Sequence, residues 1–378
     1  MRTFRQILFW LHLAAGLIAG VVILIMCVTG ALLAFERQTI EWAERDVRYV
    51  AVSSEPKLAA AEVLAKAIEA RPGAKPASIA IKNEPGAAWE ISLGRDGVVF
   101  ADPHTGAITG ESNKKVRNVM STLREWHRYV ALSGDQRPIG KAITGAGNLL
   151  FLFLAISGIY IWFPRNLTWK VVKPVIWFRS GQRGKARNFN WHNTIGFWTS
   201  LLLIIFTLTA TVISYQWASN LLYTLTGNEV PKPSQPQPPA ADTAFVIPAN
   251  LDAAWTRAAQ HLPTLKSISL RLPANESSVF TIDEGIYWNI FGRSTLTVDT
   301  TTAEVKKWDP YGERNAAVQL RSWFRFTHTG ETGGIPGQII GLIASIGGAF
   351  LVWTGFSLAF RRFGNWLKRR RNGAEAIS

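Results

Sequence analysis

The chain has 378 residues, 48% of them hydrophobic, with 41 Lys and Arg against 26 Asp and Glu. Its net charge of +15 does not mark a nucleic-acid binder, because the surplus cations flank four nearly uncharged runs, at residues 9–35, 142–163, 195–216 and 338–360, where they meet anionic lipid headgroups instead. The one cysteine, Cys27, lies inside the first run, which excludes an intrachain disulfide and any Cys-based zinc or iron–sulfur centre.

Each run is long enough to cross roughly 30 Å of hydrocarbon as a helix, and helix is the state in which such a run satisfies its own backbone. The first is followed by Ala34-Phe35-Glu36-Arg37 rather than a small-residue cleavage site, so it reads as an uncleaved span. Arg2 and Arg5, the seven basic residues between spans two and three, and the tail cations Arg361, Arg362, Lys368, Arg369, Arg370 and Arg371 face a single acid, Glu375. This asymmetry puts both termini and the basic loop in the cytoplasm. The expected divisions are the N-terminus and span one at 1–36, an outer module at 37–120, and span two with its lead-in at 121–164. A basic loop follows at 165–191, then span three at 192–216, a second outer module at 217–320, span four with its lead-in at 321–361, and a basic tail at 362–378.

Both outer segments read as small α+β modules. The first predicts a helix over 58–70, ended by Arg71-Pro72-Gly73, then strands over 77–82, 88–93 and 97–101 running into the turn Asp102-Pro103-His104-Thr105-Gly106. The second opens with a Pro-rich linker at 231–239. It predicts a helix over 251–261 and strands over 267–272, 278–283, 286–291, 294–299 and 304–308.

The two halves look duplicated. Spans one and three align at a shift of 180, which puts His12 on His192, Gly16 on Gly196 and Thr29 on Thr209. Spans two and four align at a shift of 197, with Trp126 on Trp323, Gly140 on Gly337 and Gly158 on Gly355. His127 then falls on Phe324 and His328 on Ala131, one helical turn out of step. The fold class is therefore an α-helical membrane protein, four transmembrane helices in two tandem repeats plus two small outer α+β modules.

Every span has a histidine at or before its start, and an ionisable residue at a span end reads as functional. His12 and His192 share one depth near the cytoplasmic side; His127 and His328 precede their runs on the outer side. Two imidazoles from facing helices suit the two axial positions of a haem, so the four histidines are candidate haem-iron ligands in two pairs. Gly16 and Gly196, four residues after a histidine, would let a macrocycle approach the helix, and Arg5, Arg187, Arg124 and Arg128 are candidates to pair with its propionates. His104 and His261 read as surface groups, and Met26 and Met120 as packing. The chain has no nucleotide-binding or flavin-binding motif, so an electron carrier built this way needs a separate donor.

The segments WLHLAAGLIAG, VTGALLAFE, LREWHRYV, SGIYIWFPR, NWHNTIGFWTSLLL and HTGETGGIPGQIIGLIASIGGAFLVWTGFSLAFRR resemble the PepSY-associated transmembrane family, and DPHTGAITG is similar to the closing turn of its PepSY modules. Asp299-Thr300-Thr301-Thr302 departs from that turn in the second module. The resemblance extends to the FoxB-type inner-membrane siderophore reductases. It implies PepSY-like periplasmic modules, a place in the bacterial inner membrane, two b-type haems carried by His12, His192, His127 and His328, and reduction of ferric siderophores at the periplasmic face. The electron donor would be a cytoplasmic reductant or a quinol. The alternative is a membrane-anchored periplasmic binding or regulatory module without redox activity. A haem or siderophore transporter fits least, since four spans without an intramembrane acid–base chain lack the means.

Overall fold

The computed structural model describes residues 2–164, 166–232, 245–262, 264–273, 277–285 and 292–375. The expected strand at 286–291 and most of the 231–239 linker lie outside them. Helices α1 (Arg2–Leu33), α2 (Glu36–Ala43), α3 (Arg45–Arg48) and α4 (Ala60–Ala70) precede strands β1 (Ser78–Lys82), β2 (Trp89–Ser92), β3 (Val98–Ala101) and β4 (Ile108–Glu111). Helices α5 (Lys114–Tyr129), α6 (Arg137–Trp162), α7 (Trp169–Ile176), α8 (Gly184–Ser214), α9 (Gln216–Leu225) and α10 (Leu251–His261) follow. Strands β5 (Ser267–Arg271), β6 (Ser277–Asp283), β7 (Arg293–Asp299) and β8 (Val305–Asp309) then lead to α11 (Ala316–His328) and α12 (Ile335–Glu375). The chain divides into two units: Met1–Ala34, Met120–Leu221 and Phe324–Ser378 form one, Phe35–Val119 and Leu222–Trp323 the other.

The first unit is helical. Four of its helices, α1, α6, α8 and α12, are long and apolar enough to cross a membrane. Each of α1 and α8 packs against both α6 and α12. Their shared core is Ala19, Ile23, Cys27, Phe151, Ala155, Leu203 and Ala344. Lipid tails are as apolar as these side chains, so close approach and interhelical hydrogen bonds do the joining. A Cβ on Gly348 would stand 2.7 Å from Cys27 Sγ, so only glycine lets α12 come this close to α1. Asn148 on α6 donates to the Thr207 carbonyl and to Thr211 Oγ1 of α8, each at 3.0 Å.

Helix α5 forms the lead-in to span two and folds back toward it. The reversal uses left-handed Val130 and Ala131, and Thr144 Oγ1 of α6 donates to the Arg128 carbonyl at 2.8 Å. Gly140 presses against the Tyr129 carbonyl, and Gly337 meets the Thr332 and Gly330 carbonyls in the same manner before α12.

The second unit is a sheet covered on one face by α4 and α10. Its core includes Val63, Leu64, Trp89, Ile91, Leu251, Trp255, Phe280 and Leu296. The two α+β segments do not stand as separate modules here. Their strands form one antiparallel sheet, β4-β3-β2-β1-β5-β6-β7-β8, joined where Ser78–Lys82 pairs with Ser267–Arg271. Each half taken alone would expose β1 or β5 as an edge, and pairing removes that exposed row of donors and acceptors.

The turn that departs from the family pattern in sequence keeps its geometry. Asp102 Oδ1 accepts from the His104 and Thr105 amides at 2.7 and 2.9 Å, and Asp299 Oδ1 accepts from the Thr301 and Thr302 amides at 2.7 and 2.8 Å. The ladders flanking them shift register at Phe100/Ala101 and at Thr297/Val298. Gly106 takes φ +72° in the first turn, and Ala303 is forced to +59° in the second. A Cβ is costly there, so Ala303→Gly is expected to stabilise the sheet unit by about 1 kcal/mol, read as a higher thermal midpoint of the strand circular-dichroism signal.

Candidate functional site

All four predicted histidines lie in the helical unit, on different helices: His12 on α1, His127 on α5, His192 on α8 and His328 on α11. His127 and His328, which no sequence alignment superimposed, face each other with ring centroids 6.2 Å apart and planes inclined by 49°. Two imidazoles bound to one metal at roughly 2 Å each would hold their centroids roughly 6 Å apart. His12 and His192 occupy repeat-equivalent places, His12 beside Gly158 of α6 and His192 beside Gly355 of α12.

Each ring is held by its Nδ1. His12 Nδ1 is 2.8 Å from Ser157 Oγ, and His192 Nδ1 is 2.9 Å from Thr354 Oγ1. His127 Nδ1 is 3.0 Å from Thr29 Oγ1, and His328 Nδ1 is 3.1 Å from the Phe206 carbonyl. A carbonyl only accepts, so His328 carries its proton on Nδ1. Thr29 and Thr354 spend their own hydroxyl protons on the Ile25 and Phe350 carbonyls at 2.6 and 2.7 Å, and Ser157 turns its proton toward Leu154. These oxygens therefore accept from the imidazoles, and the network assigns the Nδ1–H tautomer to all four. Among the described residues no hydrogen bond reaches any Nε2. A metal-ligating histidine has this arrangement, one nitrogen oriented by a hydrogen bond and the other left with its lone pair. Helices α5 and α11 lie outside the spans; burial, then the neighbouring His328, holds the His127 imidazole down at about 4, and burial lowers His328 too.

Two donors per site do not suit every metal. Among the described residues no group of three or more His, Cys, Asp and Glu side chains could cage an ion. Zinc and non-haem iron ask for three or four protein ligands, whereas a haem brings four of its own and asks for two. The donor set fits haem.

The other predicted site residues are placed differently. A Cβ on Gly16 or Gly196 would meet Leu154 at 3.9 Å or Leu351 at 3.5 Å, so these glycines face neighbouring helices. The glycines against the histidines are Gly158, where a Cβ would stand 3.4 Å from His12 Cε1, Gly355, 3.6 Å from His192 Cε1, and Gly30, 3.3 Å from His127 Cε1. Arg5 donates to the Ile161 carbonyl and so caps the end of α6. Arg187 lies 5.2 Å over the Trp191 ring and Arg128 5.2 Å over Tyr129, while Arg124 sits on the exposed face of α5. Sequence reading missed Thr29, Ser157, Thr354 and the Phe206 carbonyl. The signal for two of them was present: Ser157-Gly158 and Thr354-Gly355 coincide at the same shift of 197.

Fold and site together define an integral membrane protein with four spans, a separate antiparallel sheet unit, and paired histidines inside the helical unit. The chain belongs to the PepSY-associated transmembrane family: the family model described as PepSY-associated TM region matches residues 9–362. No curated protein matches it in sequence.

Proposed function

We propose that this chain is a di-haem transmembrane electron-transfer protein of the bacterial inner membrane, which reduces ferric siderophore iron at the periplasmic face and releases Fe(II). One observation carries the reading: four half-buried imidazoles are each held through Nδ1 with no described hydrogen bond at Nε2, and two of them, His127 and His328, face each other with ring centroids 6.2 Å apart. His12 with His192, and His127 with His328, would each hold one b-type haem, which supplies one-electron redox chemistry when bound. The chain's own residues do the remainder. Ser157, Thr354, Thr29 and the Phe206 carbonyl fix ring orientation and raise imidazole basicity. The packed side chains of Ile23, Phe151 and Leu203 keep water from the region between the pairs. Electrons come from a cytoplasmic reductant or a quinol and are consumed by Fe(III) in the chelate. Fe(II) is held less tightly than Fe(III) by hard oxygen ligands, so reduction frees the metal.

An internal duplication supports the reading of His12 and His192 as a matched pair of ligands to one site. His12–Ser157 matches His192–Thr354, the Asp102 turn matches the Asp299 turn, and the ladder irregularities also match, with the last two at a shift of 197. The test is the absorption spectrum and haem stoichiometry of protein from haem-replete cells. Two haems per chain, a Soret band and sharp reduced α and β bands are expected. A folded but colourless preparation rejects the proposal and favours a membrane-anchored binding module.

A further inference from the structure

We infer that the helical unit is an insulated electron path: it passes electrons across the membrane without a compensating proton, so its turnover is electrogenic. This rests on the proposed function. The two histidine levels are far apart. On α1, His12 and Thr29, the partner of His127, are 17 residues apart, about 25 Å along the helix. That is about four-fifths of the roughly 30 Å hydrocarbon thickness, so most of the membrane field falls between the two pairs.

The segments that join these levels are residues 13–28 of α1, 145–156 of α6, 193–205 of α8 and 342–353 of α12. They carry no Asp, Glu, Lys, Arg or His. Their core is the apolar cluster of Ala19, Ile23, Cys27, Phe151, Ala155, Leu203 and Ala344, closed further by Gly348 against Cys27 and Phe151. The buried polar side chains in these segments are turned to protein partners: Thr194 to the Val175 and Trp177 carbonyls, Thr199 to the Ile195 carbonyl, Ser200 to that of Phe197, and Asn148 to Thr207 and Thr211. A proton crossing 25 Å needs a chain of groups that bind and release it, and membrane proton relays are built from Asp, Glu and His. An electron needs only the two redox levels. The balance is then one electron taken from the inner donor, Fe(III) reduced to Fe(II) outside, and no proton carried between; a quinol donor would release its protons on its own side.

The experiment uses the full chain loaded with haem, in sealed vesicles of phosphatidylethanolamine and phosphatidylglycerol. Reductant is confined to one side, a potassium gradient with valinomycin sets the potential, and a pH dye is trapped inside. His192→Ala identifies which spectrum belongs to which haem. The ratio of reduced outer to reduced inner haem is expected to change about sixfold for each 59 mV applied, four-fifths of the tenfold step in logarithm. The dye is expected not to move as electrons cross. A ratio indifferent to potential, or one proton moved per electron, overturns the inference. Vesicles carrying haem-free protein give a second reading: their proton leak should equal that of protein-free vesicles, and a faster leak overturns the insulation. Tight vesicles from a protein that never binds haem would instead reject the proposed function and leave the barrier standing.

Discussion

Replacing His192 with alanine is expected to remove one of two haems, leaving a chain that binds about half the haem of the parent. His12→Ala should do the same, and the double variant should lose no more than either single one, because a bis-imidazole site fails when either ligand goes. The outer haem's spectrum should survive in all three. Thr354→Val is the companion measurement. It keeps His192 but removes the oxygen 2.9 Å from its Nδ1, so the inner haem should stay bound with a raised midpoint potential as the imidazole becomes less basic. Full haem content in His192→Ala would sink the assignment of the inner pair.

The second large effect belongs to the sheet unit. The Glu44 side chain is 0% exposed. Its carboxylate accepts from Arg117 Nε at 2.6 Å and Nη2 at 2.9 Å, from Arg48 Nε at 3.0 Å and Nη2 at 2.8 Å, and from the Asn113 amide at 2.9 Å. Arg48 continues to Glu90 at 2.9 Å. Glu44 thereby ties the α2–α3 corner to the segment entering α5. Glu44→Gln leaves two guanidinium groups facing a neutral amide, and breaking a buried pair in this way costs about 3–5 kcal/mol. The expected outcome is a large drop in the thermal midpoint of the sheet signal, with haem binding by the helical unit as the control.

The same residue sets a pH dependence. Burial pushes the Glu44 carboxyl up, but the hydrogen bonds and charges of Arg117 and Arg48 outweigh it and hold it below the usual carboxylate value. A depressed folded value means the stabilisation is complete above the unfolded value of about 4.3 and is lost as pH falls through the folded one. The sheet unit should therefore be indifferent to pH near neutrality and weaken on acidification below about pH 4. Glu44→Gln should flatten that part of the profile.

How much of this was legible beforehand depends on the range of the interaction. The spans were legible because hydrocarbon thickness fixes the length of an apolar run, and α1, α6, α8 and α12 cover the four runs to within two residues at their ends. Helix α10 was legible to its ends, 251–261, since its periodicity is local. Strand β4 was not, because Ile108-Thr109-Gly110-Glu111 has too little apolar alternation, and its pairing with β3 holds it. Nor were α2, α3, α9 and the back-folded α5, which the sequence reading left inside the outer segments or the lead-in.

The sequence by itself determined four membrane helices, the family pattern, and which imidazoles are candidates for a site. It could do so because hydropathy, charge asymmetry and repeat spacing are properties of neighbouring residues. Tertiary structure decided that His127 meets His328 despite the one-turn offset, that Ser157, Thr354, Thr29 and a backbone carbonyl orient the rings, and that two apparent modules share one sheet. Those outcomes depend on side-chain reach across helices and on strand edges seeking partners, and neither is written in any single stretch of the chain.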